Sequence, residues 1–384
     1  MRVLMAHNYY QQAGGEDESF RAEAALIQAA GHDVTRYTIH NDALTSMPSL
    51  EKAAKTFWNR STFDDITGLL SKQKHHVAHF QNTFPLMSPS VYYAAADAGL
   101  PVIQSLRNYR LTCVNGLLFR DGAPCEVCVS TYAPWYGVVK RCYRNSRTAS
   151  AVVAGMVAFH KARGTYADVV HTYVALTNFA KQTLVRSGLP AGRIVVKPNF
   201  LISDPGVGSG AGGYALFVGR LSHEKGVATM LSAWERLRDH LPLKIVGDGP
   251  MAREVAEKAS AGIEWLGRRS PSDVMDLIGS ARMLIFPSEW YETFGRVAIE
   301  AFGKGTPVIA SDIGAIAEVV DHGRTGYRFR PGDIGHLVDT VEQALAQPAV
   351  LQAMRREARH EYETKYTAET NRKQLLAIYE SVMK

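Results

Sequence analysis

Short apolar runs recur along this chain, each bounded by glycine, proline or polar residues and followed by a segment whose apolar positions return every three or four residues. The first run, Arg2 to Ala6, leads into a polar loop from His7 to Gly15. A helix follows that opens with Glu16, Asp17 and Glu18 and stops near Gly31. His76 to Gln81 and Pro101 to Ser105 read as further strands, with helices over Lys52 to Asn59, Thr62 to Lys72 and Pro89 to Ala98. The alternation continues through Val169 to Leu176, Asn178 to Ser187 and Arg193 to Lys197. Strands alternating with helices predict a parallel sheet covered on both faces.

The stretch Asp204 to Gly213, DPGVGSGAGG, reads as a linker and divides the chain into residues 1–203 and 204–366. Beyond it a second series of strands is predicted at Tyr214 to Val218, Leu243 to Val246, Ile263 to Leu266, Met283 to Phe286, Pro307 to Ala310 and Gly326 to Phe329. Helices finish the chain from about Gly332, and the last, within 367–384, is expected to pack back on the first domain. The pattern therefore predicts an α/β fold with two Rossmann-like, doubly wound parallel-sheet domains.

A chain of 384 residues with 46% hydrophobic content can bury two such cores. Its 43 Lys and Arg against 37 Asp and Glu leave a net charge of +6, which favours phosphorylated ligands or an anionic membrane surface. No concentrated basic run points to nucleic acid. The opening MRVLMAHNYY lacks the apolar stretch of a signal peptide, and the longest apolar span, Ala149 to Phe159, is too short to cross a bilayer. The expected location is cytoplasmic, with peripheral attachment to the inner membrane.

Candidate chemistry concentrates in Ile285 to Glu300, IFPSEWYETFGRVAIE, read as the end of a strand, a loop over Pro287 to Thr293 and a helix over Phe294 to Gly303. Glu292 would sit at the helix entry with Glu300 roughly 12 Å further along, so that both carboxylates face one crevice. The amides near Phe294 and Gly295 would offer a helix N-terminus to an anion such as a diphosphate. A sugar nucleotide has this layout, with hydroxyls at both ends and a diphosphate between them. The plainer alternative is that Glu292 only complements the helix dipole and Glu300 is a solvated helix residue.

Two further loops follow predicted strands. GRLSHEKG places Arg220 and Lys225 before a helix starting near Gly226, a diphosphate-binding arrangement, with a surface ion pair to Glu224 as the alternative. Gly247-Asp248-Gly249-Pro250 forms a tight turn. The N-terminal loop has no G-x-G-x-x-G spacing and no acidic residue closes HDVTRYTI, which argues against a dehydrogenase. Gly14 and Gly15 either admit a ligand close to the backbone or form an ordinary turn.

An insertion over 107–147 holds all four cysteines: Cys113, Cys125, Cys128 and Cys142. The Cys125-x-x-Cys128 spacing is that of a zinc knuckle, so the set is either a structural zinc site or a group of unligated or redox-active thiols. Lys140, Arg141, Arg144 and Arg147 make a basic edge suited to a phosphate-bearing acceptor or lipid headgroups.

Taken together, GRLSHEKG, VGDGP, IEWLGRRS, PSEWYETFGRVAIEAFGKGTPVIAS and GRTGYRF resemble the retaining family 4 glycosyltransferases over nearly the whole chain. The resemblance implies a GT-B arrangement in which the two domains face across a cleft, the second binding a UDP- or GDP-sugar. It implies that Arg220 and Lys225 bind the donor diphosphate, Glu292 the donor sugar and Glu300 the ribose. Leu266, Gly267 and Arg268 would lie near the base, and Gly14, Gly15, Phe294 and Gly295 near the donor. It further implies transfer without a metal or other catalytic cofactor, onto a lipid-linked or oligosaccharide acceptor in surface polysaccharide assembly. Relatives with a similar cysteine insertion often carry His before the Asn-Tyr pair where this chain has Arg107, which is read here as a catalytic group stabilising charge. A sugar-nucleotide isomerase of similar architecture and a non-catalytic subunit with a decayed site are the competing readings.

Overall fold

The computed structural model describes residues 1–11, 14–260 and 262–383, so Gln12 and Ala13 of the loop expected over His7 to Gly15, and the final Lys384, lie outside the described residues. The chain divides into two units: Met1–Leu118 with Cys125–Pro198 and Asn371–Lys384, and Asn199–Thr370 with Phe119–Pro124.

The first unit carries β1 (Arg2–Tyr9), β2 (Asp33–His40), β3 (Val77–Phe80) and β4 (Val102–Leu106). After the short hairpin β5 (Phe119–Arg120) and β6 (Ala123–Pro124) come β7 (Thr172–Ala175) and β8 (Ile194–Val196). The second unit carries β9 (Ala215–Val218), β10 (Leu243–Val246), β11 (Ile263–Gly267), β12 (Met283–Phe286), β13 (Val308–Ser311) and β14 (Gly326–Phe329). Each unit is built on a six-stranded sheet, ordered β2-β1-β3-β4-β7-β8 and β11-β10-β9-β12-β13-β14. All pairings in both are parallel. Strands β3, β4, β7, β12 and β13 are buried along their whole length. This is what helices on both faces require, and it explains why these strands read as unbroken apolar runs.

The predicted linker is not one. Its glycines run along the second unit in backbone hydrogen bonds: Gly208 N to Lys304 O at 2.9 Å, Gly210 N to Gly279 O at 2.9 Å and Gly212 N to Ser280 O at 2.8 Å. A Cβ on Gly208 would lie 2.2 Å from the Gly279 backbone. Glycine here permits close approach rather than flexibility, and the division between units falls after Pro198 instead of Ser203.

Inside the first unit a charged cluster replaces part of the apolar core. Glu23 accepts from Lys197 Nζ at 2.7 Å, Arg107 Nη2 at 3.0 Å and Gln81 Nε2 at 2.5 Å, with all four side chains buried. Burial alone would raise the Glu23 carboxyl, yet Lys197, Arg107 and His79 overcome it and hold it down at about 2. The Ala368–Met383 helix joins the same cluster. Asn371 accepts from Lys197 at 3.1 Å and Tyr379 Oη lies 2.8 Å from His79 Nδ1.

Two buried imidazoles make the unit sensitive to acid. Burial lowers His79 and His160 to about 4; Lys197 and Arg107 add to this at His79 while Glu23 opposes it, and Arg163 adds to it at His160 while the Phe57 carbonyl opposes it. Their ordinary value is 6.5, so between pH 6.5 and 4 the unfolded chain holds more protons than the folded one. Stability is therefore present above pH 6.5 and lost as the pH falls toward 4. Melting temperatures measured across that window should fall for the native protein and fall less steeply for His160→Gln, and equal slopes would count against buried neutral imidazoles.

Candidate functional site

Strand order in the second sheet reverses between β9 and β12, the position outside whose carboxyl ends doubly wound sheets bind ligands. Two segments leave the sheet there, 219–226 after β9 and 287–295 after β12. They are locked together: Glu289 N donates to Glu224 O at 2.9 Å, and Thr229 Oγ1 to Glu289 Oε1 at 2.5 Å. Gly226 makes this possible. Its φ is 67°, and a Cβ would sit 1.9 Å from the Pro287 carbonyl oxygen, so any other residue would push the segments apart. The first segment is also held to the turn after β10 by Leu221 N to Asp248 O at 3.0 Å.

Glu292 is the focus. It is 7% exposed, and its Oε1 accepts from Lys225 Nζ at 2.5 Å, Ser288 Oγ at 2.9 Å and Trp290 Nε1 at 3.0 Å. The Lys225 ammonium also lies 5.4 Å from the Trp290 ring centroid and 5.9 Å from that of Phe286. Aromatic walls strengthen the ion pair by keeping water from it, while Lys225 keeps a quarter of its side-chain surface open, at 25% exposed. An anion arriving here meets an ammonium already fixed in direction, and Arg220, on the same segment, is exposed.

The helix after β12 begins later than the sequence predicts, at Arg296, with Gly295 at φ 98° as its cap. Glu292 therefore stands in the preceding loop, and the helical spacing expected between Glu292 and Glu300 does not apply. Glu300 takes a different partner, Arg296 Nε at 3.1 Å, and burial pushes its carboxyl up while Arg296 opposes the shift. Phe294 is buried edge-on against Tyr366, with centroids 5.9 Å apart, so its side chain serves packing. At the end of β11, the Gly267 carbonyl accepts from Gly247 N at 2.9 Å and the exposed Arg268 pairs with Asp248 at 3.3 Å. Leu266 lines a cavity with Tyr214, Lys244 and Asp276.

The remaining predicted residues belong to the first unit. Gly14 and Gly15 are exposed, and a Cβ on either would meet nothing within 4 Å. The Gly14 amide donates to Asp17 Oδ2 at 3.0 Å, and Asp17 Oδ1 is 2.8 Å from His7 Nε2. Arg107 departs from the expected catalytic role. Its guanidinium is buried and engaged by Glu23 and by Gln81 Oε1 at 2.8 Å, because a cation out of water must be neutralised in place. That makes it part of the unit's internal charge cluster.

The cysteines do not fit a zinc ion as they stand. Among the described residues no group of three or more His, Cys, Asp or Glu is placed to hold a metal. Cys113 Sγ donates to Asn115 Oδ1 at 2.9 Å, and Cys142 packs against the apolar cluster of Val114, Val153 and Val157. Burial pushes the Cys128 thiol up to about 11, with the other three cysteines adding to the shift and a Gly137 backbone bond opposing it.

The sequence reading missed Ser288 and Trp290, which hold the Glu292 carboxylate, and Glu289 and Thr229, which tie the two segments together. For Ser288, Glu289 and Trp290 the signal was the density of hydrogen-bonding side chains in SEWYE, between an apolar strand and a helix; Thr229, inside the Val227–Leu237 helix, gave none.

The two six-stranded parallel sheets define a two-unit α/β protein of the doubly wound type, with a fixed ammonium and carboxylate beyond the strand reversal of the second. Residues 210–361, which lie within the second unit, match the model of the family "Glycosyl transferases group 1". Glycogen synthase of Mycobacterium tuberculosis is 34% identical over 188 residues, 47% of this chain and 44% of that one. Lipopolysaccharide 1,2-N-acetylglucosaminetransferase of Salmonella typhimurium is 33% identical over 148 residues, covering 34% and 39%. The chain thus spans less than half the length of these curated relatives. The crystal structure of Anabaena Alr3699/HepE in complex with UDP superposes with a TM-score of 0.72 at 16% identity, covering 99% of this chain and 100% of that one, and so shares its fold.

Proposed function

We propose that the protein is a retaining glycosyltransferase that moves a sugar from a UDP- or GDP-sugar to a lipid-linked or oligosaccharide acceptor in surface polysaccharide biosynthesis. The observation that carries the reading is the Lys225–Glu292 pair, built from two segments at the strand-order reversal of a group 1 glycosyl transferase domain. Lys225 and Arg220 supply positive charge to the diphosphate, a task for which no metal is needed. As the bond between the anomeric carbon and the diphosphate oxygen breaks, these cations stabilise the charge gathering on the leaving group. The acceptor hydroxyl attacks the anomeric carbon from the same face and passes its proton to a departing phosphate oxygen. Glu292 directs Lys225 and accepts from a hydroxyl of the donor sugar, while Glu300 and the end of β11 serve the ribose and base. The UDP bound to the Anabaena structure and the acceptor named for the Salmonella relative support the donor and acceptor classes.

A panel of UDP- and GDP-sugars tests this by thermal shift and by hydrolysis of the donor. The correct donor at about 100 times its Kd should stabilise the folded chain by about 2.7 kcal/mol and raise the melting temperature accordingly. No response to any nucleotide would move the protein out of this class.

A further inference from the structure

We infer that one face of the first unit is a docking surface for an anionic bilayer, formed by the first turn of the Ser49–Phe57 helix, the segment 132–147 and the start of the Arg147–Ala162 helix. It deepens the lipid-linked acceptor reading above and rests on it.

Three observations converge there. Large apolar side chains stand in water: Leu50 is 84% exposed, Trp135 60% and Val139 50%. Beside them Lys140, Arg141, Arg144 and Arg147 are exposed; no acidic residue lies between Val127 and Arg147 in the sequence, and the acid in the first turn of the Ser49–Phe57 helix, Glu51, is paired with Lys55 at 2.8 Å. The backbone presents these cations at a cost. Arg141, Arg144 and Asn145 have φ of 53°, 53° and 52°, a left-handed conformation that side-chain-bearing residues adopt rarely and that persists where the surroundings enforce it. Lys140 and Arg144 lie over the Tyr136 and Tyr143 rings, at 5.7 and 5.5 Å from the centroids. Exposed Trp and Leu among exposed cations is the composition of a membrane-interface element, in which apolar tips enter the acyl boundary and cations meet phosphates.

A cavity of about 320 Å³ opens between the Ser49–Phe57 and Arg147–Ala162 helices. Leu44, Phe84, Tyr143 and Val152 give it an apolar wall, while Lys52 and Arg144 bring two ammonium or guanidinium groups to its lining. A phosphate attached to an acyl or prenyl chain has the chemistry this lining matches, so a headgroup enters the cavity as the rim settles on the bilayer. The high positive charge favours a lipid surface over a protein partner, whose interface core is depleted of charged residues.

Vesicle flotation tests the surface. The full chain should bind phosphatidylcholine vesicles containing about 30% phosphatidylglycerol and release them as salt rises, with little binding to phosphatidylcholine alone. Lys140→Glu, Arg144→Glu and Arg147→Glu together should weaken binding by about 100-fold or more, and Leu50→Ser with Trp135→Ser should weaken it about tenfold at any salt. Both variants change exposed side chains, and both should keep the native melting temperature and the native shift with a nucleotide-sugar. Equal binding of native and charge-reversed chains, or no binding of the native chain to either vesicle, would overturn the surface and give these cations to an acidic protein partner instead. A retained nucleotide shift in that case leaves the transferase reading standing, whereas vesicle binding without any nucleotide shift removes the transferase reading alone.

Discussion

Lys225→Ala and Glu292→Ala are each expected to lower sugar transfer by about 100-fold or more, the loss that follows removal of a preorganised charge from a water-poor site. The geometry says why the two losses should be similar. Lys225 is aimed by Glu292 at 2.5 Å and flanked by the rings of Trp290 and Phe286, so removing the carboxylate unfixes the ammonium as surely as removing the lysine deletes it. Ser288 and Trp290 would still hold a neutral side chain at 292, so Glu292→Gln separates the two roles. It should keep the local fold and lose most of the rate. Because the contact counts most in the transition state, the decrease should fall on kcat more than on KM. The double variant should be little worse than either single one, as expected of two groups acting as a unit. Full activity in either alanine variant would place the chemistry elsewhere.

The second large effect concerns stability. Glu23→Gln should destabilise the first unit by about 3–5 kcal/mol, since it strands Lys197 and Arg107 in the interior with no carboxylate. Lys197 has no exposed surface, so solvent cannot take over the role of Glu23. Lys197→Met removes one cation but leaves Glu23 paired with Arg107 at 3.0 Å, and should cost less. Denaturant unfolding of native and variant chains measures both. A loss below about 1 kcal/mol for Glu23→Gln would mean that water or another anion reaches the cluster. The sign of the linkage agrees: a carboxyl held at about 2 contributes in full above its unfolded value of 4.5, and that contribution is lost progressively as the pH falls from 4.5 through about 2.

Much of this architecture was legible because it is encoded locally. Apolar runs such as Met283 to Phe286 are strands wherever helices cover both faces, and glycine-bearing polar segments after β9 and β12 had to be the loops at one sheet edge. The predicted helix start at Phe294 failed for a tertiary reason. Phe294 has an apolar side chain that fits a helical period, but Tyr366 claims it, and Gly295 turns into a left-handed conformation before the helix begins. The glycine-rich stretch 204–213 failed likewise, since composition cannot distinguish a glycine that is loose from one pressed against Gly279.

By itself, then, the sequence determined two doubly wound parallel layers and the loops that carry Arg220, Lys225, Glu292 and Glu300, because side-chain period and turn chemistry act over a few residues. Only the tertiary structure decided which charges meet. Lys225 and Glu292 are 67 residues apart and Glu23 and Lys197 are 174 apart. Once buried, a charge takes whichever opposite charge the packed strands bring within 3 Å, and no local pattern records that choice.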